Sequence, residues 1–104
     1  MSIDFSLSQI QKTVVFDTNM THNVSVFWRT AGCYDAIYNS DGMKASEVVP
    51  FLKRGYDTMV ASPDTYRSMN PKNGWGNYDI CIEWLGEIIT ACDQYPNSII
   101  SISK

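Results

Sequence analysis

The sequence predicts an α+β domain in which a small antiparallel sheet, two N-terminal strands plus a C-terminal strand, is covered on one face by three to four helices. Three features point to it. Ile3, Phe5 and Leu7 alternate with Asp4, Ser6 and Ser8, the period of two expected of a strand with one buried face. Ile99, Ile100 and Ile102, interleaved with serines, repeat that signal near the other end of the chain. Between them, apolar residues recur at helical spacing, which places them on one side of successive helices. A sheet shielded on its apolar face by helices is the simplest layered solution for that order.

Taken in order, Ile3 to Ser8 is the first strand and Gln9 to Gln11 a turn. Thr13 to Thr18 is rich in β-branched and aromatic residues, with Val14 and Phe16 on one face and Val15 and Asp17 on the other, so the two runs form a hairpin. Asn19 to Asn23 is polar, and either Thr21 or Asn23 caps the first helix. Val24, Phe27, Trp28, Ala31, Tyr34 and Tyr38 continue that helix at helical spacing. Gly32 inside it costs roughly 1 kcal/mol against alanine and is expected to mark close packing of another element. Asn39-Ser40-Asp41-Gly42 ends it.

Ser46 is the expected N-cap of the next helix, with Pro50 near the end of its first turn, where a missing N–H costs little. Val49, Leu52, Tyr56, Met59 and Val60 make its apolar stripe. Ser62-Pro63-Asp64 opens a short helix that ends near Asn70-Pro71. Either Asn77 or Asn73 caps the last long helix, in which Tyr78, Ile82, Leu85, Ile89 and Cys92 repeat at three and four residues. Pro96-Asn97 ends it, and the final strand pairs with one of the first two.

The chain has 104 residues, the size of one domain spanning residues 1–104. Charged residues are 18%, below the usual quarter or so; the surface is expected to be completed by Ser, Thr, Asn and exposed aromatics, which suits a contact face. Net charge is −3 and the pI about 4.8. Lys53-Arg54 is the only adjacent basic pair. A protein that tracks nucleic-acid phosphates needs a basic stripe, so direct nucleic-acid binding is not expected. An acidic domain suits a basic surface on another protein.

Cys33, Cys81 and Cys92 are odd in number and widely spaced, neither a disulfide framework nor a zinc pattern. They are expected to be buried free thiols. No metal or cofactor is expected. No leader and no long apolar run is present, so the chain is expected in the cytoplasm, away from membranes.

Three places hold candidate binding residues. The first is the loop Asn73-Gly74-Trp75-Gly76-Asn77-Tyr78. Its glycines admit positive φ and close approach. Trp75 and Tyr78 offer rigid aromatic area, with Asn73 and Asn77 beside them. Trp75 is either an inward plug between helices, an interface contact, or a platform that stacks a nucleotide base above a helix N-terminus. The second is His22 with Asn23. His22 is the only histidine; it serves either as a hydrogen-bonded element at the helix start or as an acid–base group. Asp17 and Cys33 are its nearest candidate partners, and no nucleophile elbow or second histidine accompanies it. The third is Arg29 with Tyr34 and Tyr38 on the first helix. The tyrosines outnumber what one small core needs, so some should lie outside. Glu83 and Glu87 share a helix face and read as a solvated one.

Several of these segments together resemble a family of short proteins of phages and bacterial genomes. The resemblance lies in Thr21-His22-Asn23, Ala31-Gly32-Cys33-Tyr34-Asp35-Ala36, Ser62-Pro63-Asp64-Thr65-Tyr66, Asn70 through Tyr78, Ala91-Cys92 and Tyr95-Pro96, and covers residues 15–104. Members usually continue the first helix into a Trp-Arg-Pro segment, where this chain has Ile37-Tyr38-Asn39-Ser40. The resemblance implies a phage setting and an anti-defence, anti-CRISPR-like role, by association and not by mechanism. The expected function is therefore a non-enzymatic inhibitor that occludes a surface of a host protein or complex. The alternative is a nucleotide-binding, sponge-like protein that uses the Gly-Trp-Gly-Asn-Tyr loop, with a homo-oligomer as one form of it. A small enzyme using His22 ranks last.

Overall fold

The structure, a computed structural model, describes every residue except Met1, Ile10, Gln11, Lys12 and Trp75. Three strands, β1 (Ser2–Ser8), β2 (Val14–Thr21) and β3 (Ile99–Ser103), form one antiparallel sheet in the order β2-β1-β3. The first strand is therefore central, and the chain ends meet through β1 and β3. Ile3, Phe5 and Leu7 are fully buried. Opposite them stand Met20, Thr18 and Phe16 on β2, and Ile102 and Ile100 opposite Phe5 and Leu7 on β3. The outer face carries Asp4, Asp17, Asn19, Ser101 and Ser103, all exposed. One apolar face and one solvated face is what the alternation requires.

The second strand differs from expectation twice. It runs three residues further, to Thr21, because Asn19, Met20 and Thr21 pair with Asp4, Ile3 and Ser2 and this seats Met20 in the core. A cross-strand partner and a buried site outweigh the poor strand preference of asparagine. The register also shifts between Leu7 and Ser8. Val14 is thereby left 54% exposed and Val15 half-buried, where strict alternation puts Val14 beside Phe16. An extra residue in one strand moves everything beyond it to the other face.

Among the described residues five α-helices follow, where three to four were expected: α1 (Ser25–Ala31), α2 (Tyr34–Tyr38), α3 (Ala45–Val60), α4 (Pro63–Arg67) and α5 (Tyr78–Gln94). A 3-10 turn, His22–Val24, leads into α1, with Thr21 as its N-cap. The extra helix arises at Gly32. Its φ of 80° ends α1, and the Cys33 N–H donates to the Trp28 carbonyl at 2.9 Å. A left-handed residue cannot continue a helix. Gly32 does not mark close packing, since a Cβ there would meet nothing within 4 Å. That role belongs to Gly55 in α3, where a Cβ would sit 2.6 Å from Cys33 Cβ.

The third helix starts at Ala45, with Lys44 and not Ser46 at the cap position. Its first N–H groups are satisfied by main chain: Ala45 N donates to Ser98 O and Ser46 N to Pro96 O, both at 2.9 Å. Pro50 consequently falls inside the helix and forfeits one helical hydrogen bond. Pro63 does stand at the first position of α4. Asn77 caps α5, its Oδ1 accepting from Ile80 N at 2.9 Å.

The helices cover the inner face of the sheet and share one core with it, α4 packing on α3 and α5. Trp28, Phe27, Leu52, Met59, Leu85 and Ile88 are fully buried with the β1 residues. The rings of Trp28 and Trp84 lie 5.5 Å apart, and Trp84 Nε1 donates to Thr18 Oγ1 of β2 at 2.9 Å. That bond ties α5 to the sheet. All three cysteines are buried and free. Among the described residues, no helix is long and apolar enough to cross a membrane.

Candidate functional site

The turn His22–Val24 is where the candidates meet. Thr21 Oγ1 accepts from the Asn23 backbone N–H at 3.3 Å and from Asn23 Nδ2 at 2.9 Å. The Asn23 side chain is held facing outward, with its Oδ1 turned to Asn73, whose Nδ2 donates to it at 3.4 Å. Asn73 and Asn23 are fifty residues apart in sequence. Gly76 brings the two segments into contact. A Cβ there would stand 2.5 Å from Val24 Cγ1 and 3.2 Å from Thr21 Cγ2, and its φ is 93°. Only glycine admits both the backbone angle and the approach. Two candidate segments that look independent in the sequence are one surface.

A row of rings extends this surface. His22 Nδ1 lies 2.9 Å from the Tyr38 hydroxyl. Tyr38 stacks on Tyr34, with centroids 4.4 Å apart and planes 7° from parallel. Arg29 then covers Tyr34, its guanidinium carbon 4.5 Å from the ring centroid. Burial, and next the neighbouring Tyr34, pushes the Tyr38 hydroxyl up to about 12, so it keeps its proton at neutral pH. A hydroxyl that donates to Nδ1 selects the imidazole tautomer with its proton on Nε2. The contact positions the half-buried His22 ring, with the donor and acceptor roles set by the imidazole tautomer. Arg29 Nη1 also donates to Ser25 Oγ at 3.2 Å. The Tyr34–Arg29 contact contributes about 0.5–1 kcal/mol at such an exposed place.

The expected residues divide as follows. His22, Asn23, Arg29, Tyr34, Tyr38 and Asn73 come together. Tyr38 is only 2% exposed and supports the surface from beneath. Asn77 is half-buried and its oxygen is used as a helix cap. Tyr78 is 4% exposed. Its hydroxyl donates to Met59 O at 3.0 Å and its N–H to Asn70 Oδ1 at 2.9 Å, so it braces the loop and offers no ring to a ligand. Trp75 lies outside the described residues. Of the tyrosines of which some were expected outside, Tyr34, Tyr56 and Tyr95 are partly exposed, whereas Tyr38 and Tyr66 are buried, as is Tyr78. The buried hydroxyls of Tyr38 and Tyr78 find partners in His22 and the Met59 carbonyl, which lets one small core hold these rings.

Burial pushes the Cys33 thiol up to about 11, Cys81 to about 12 and Cys92 to about 11. None is a thiolate nucleophile at neutral pH. Both faces of the Tyr34 ring are occupied, by Tyr38 and Arg29, so a base stacks there only by displacing Arg29. Among the described residues, no group of three or more His, Cys, Asp or Glu is placed to hold a metal ion.

Sequence reasoning passed over a second part of the surface. Beside β2, a cleft of about 340 Å³ includes Met20, Thr21, Ile80 and Trp84. Another, of about 580 Å³, includes Phe16 and Ala91. Glu83 and Glu87 line both. The available signal was the continued alternation Phe16, Thr18, Met20, which carries β2 to the start of the His22 turn.

No family model, no curated protein and no solved structure matches the chain.

Proposed function

We propose that this chain is a non-enzymatic binding protein that acts by covering a surface of a partner protein; in a phage setting, that partner is a host defence protein or complex. The observation that carries the reading is the union of Asn23 and Asn73, with His22, Arg29 and Tyr34, on one outward-facing surface held rigidly from below. Rigid, partly aromatic and amide-bearing patches suit protein contacts, since little side-chain entropy is lost on binding. The acidic balance favours a basic partner surface. His22 spends Nδ1 on Tyr38 and, among the described residues, no carboxylate is hydrogen-bonded to its ring, which counts against an acid–base role.

The test is native mass spectrometry of the full chain purified from its host cell, beside an Asn23→Ala/Arg29→Ala variant. A co-purifying protein partner is expected with the parent chain and is lost with the variant, whose thermal midpoint stays within a few degrees. A parent chain that emerges alone, or with a retained nucleotide and no protein, overturns the reading.

A further inference from the structure

The two edges of the sheet are treated differently. The free edge of β3 is covered by residues 41–45. Gly42 N donates to Ile100 O at 2.8 Å, Ile100 N to Met43 O at 2.9 Å, and Ile102 N to the Asp41 carboxylate at 2.8 Å. Lys44 bridges to Ile99. On the other side, β2 pairs with β1 alone. No other segment among the described residues makes a backbone hydrogen bond to Val14–Thr21. Its guards are few: the sequence VVFDTNMT has no lysine and no proline, Asp17 is its one charge, and the register shift lies at its Val14 end, which leaves Phe16–Thr21 regularly paired. An eight-residue edge left in this state is a template for another strand.

What lies beside the edge says which strand. The two clefts run along β2 and α5 in opposite senses: Phe16 shares one with Gln94 and Ala91, and Thr21 shares the other with Ile80. Their apolar side is Phe16, Met20 and Trp84, and their outer wall is Glu83 and Glu87. Both glutamates are exposed, and neither forms an ion pair with a described residue. Like charges four apart on a helix cost a few tenths of a kcal/mol, so the pair is not explained by helix stability. Glu83 and Glu87 stand about 6 Å apart along the helix axis. Alternate side chains of a strand are about 6.6 Å apart.

We propose that the open edge of β2 takes up an extended, basic segment of a partner protein as an added strand, with lysine or arginine at alternate positions. Their aliphatic stems lie over Phe16 and Trp84, and their charged ends meet Glu83 and Glu87. The opposite side chains of the added strand continue the polar outer face. This rests on reading the chain as a protein-binding domain, and it extends the surface around Asn23, since the cleft ends at Thr21. A second copy of β2 is a poorer occupant, because it brings its own Glu83 and Glu87 and another net charge of −3.

The probe is a synthetic eight-residue peptide alternating lysine and threonine, titrated into the full chain. Amide hydrogen exchange and calorimetry are the readouts. Binding is expected to slow exchange within Val14–Thr21, and to weaken about tenfold in a Glu83→Gln/Glu87→Gln variant. N-methylation of alternate peptide nitrogens preserves the charge and removes the donors of one edge; in one of its two phases it should abolish binding. Equal binding of a glutamate-for-lysine peptide overturns the proposal, as does undiminished binding of both N-methylated phases. Slowed exchange in β2 that needs no peptide and grows with protein concentration assigns the edge to a second copy and also overturns it. A partner captured in cells that is lost with Asn23→Ala/Arg29→Ala but kept with Glu83→Gln/Glu87→Gln leaves the binding reading standing and overturns only the strand addition. Loss with both variants supports it.

Discussion

Replacing Gly76 by alanine tests the contact that joins the loop to the His22 turn. The added Cβ would fall 2.5 Å from Val24 Cγ1 and 3.2 Å from Thr21 Cγ2. Val24 is fully buried and cannot swing aside. Overpacking a tight site of this kind costs about 1–3 kcal/mol. The φ of 93° adds left-handed strain of about 1 kcal/mol after allowance for the stiffer unfolded chain. Gly74 provides the control, because its φ is 77° yet a Cβ there would meet nothing within 4 Å. Gly74→Ala should therefore cost about 1 kcal/mol, and Gly76→Ala about 2–4 kcal/mol. Urea denaturation by linear extrapolation measures both. In a chain of this length each kcal/mol moves the thermal midpoint by about 4–8 °C. Equal costs for the two variants would falsify the packed contact, and with it the union of the two segments.

Three further outcomes are expected. Tyr38→Phe removes the hydroxyl bonded to His22 Nδ1 and should cost about 1 kcal/mol, with a change in the His22 ring resonances; unchanged resonances refute the bond. Arg67 holds the Asp79 carboxyl below its ordinary range through a 2.9 Å hydrogen bond. A carboxyl depressed in the folded state contributes stability above its unfolded value, and that contribution is lost as pH falls through the folded value. Asp79→Asn should thus lower the thermal midpoint at neutral pH and converge with the parent as the pH falls below the depressed folded value of the carboxyl, and a gap that persists in acid contradicts the ion pair. Cys33, Cys81 and Cys92 should resist an aromatic disulfide reagent in the native state and all react on unfolding; rapid labelling of native protein would contradict their burial.

The candidate site was legible in its parts and not as a whole. Asn77 as the cap of α5 and Asp79 in its first turn follow from local backbone needs, which neighbouring residues disclose. Arg29, Tyr34 and His22 were nameable from residue type. That His22 and Tyr38 share a hydrogen bond was not, because it depends on the break at Gly32, which turns α2 back toward the 3-10 turn. Gly32 inside an apolar pattern looks the same whether it bends the chain or receives another helix. Glu83 and Glu87 read as a solvent face, since nothing in their helix reveals that the edge of β2 passes beside them.

By itself, the sequence determined the α+β class, the apolar face of β1, the long helix from Tyr78 to Gln94 and the burial of three free thiols. Each depends on periodicity or capping within a few residues, where the backbone geometry is the same in any fold. The tertiary structure alone decided that β1 is central and β2 open, that β2 runs to Thr21, that Gly55 admits Cys33, and that Asn23 meets Asn73. Those outcomes depend on pairing and close approach between segments distant along the chain. Such contacts are set by which surfaces can be buried together, a property that no local pattern carries.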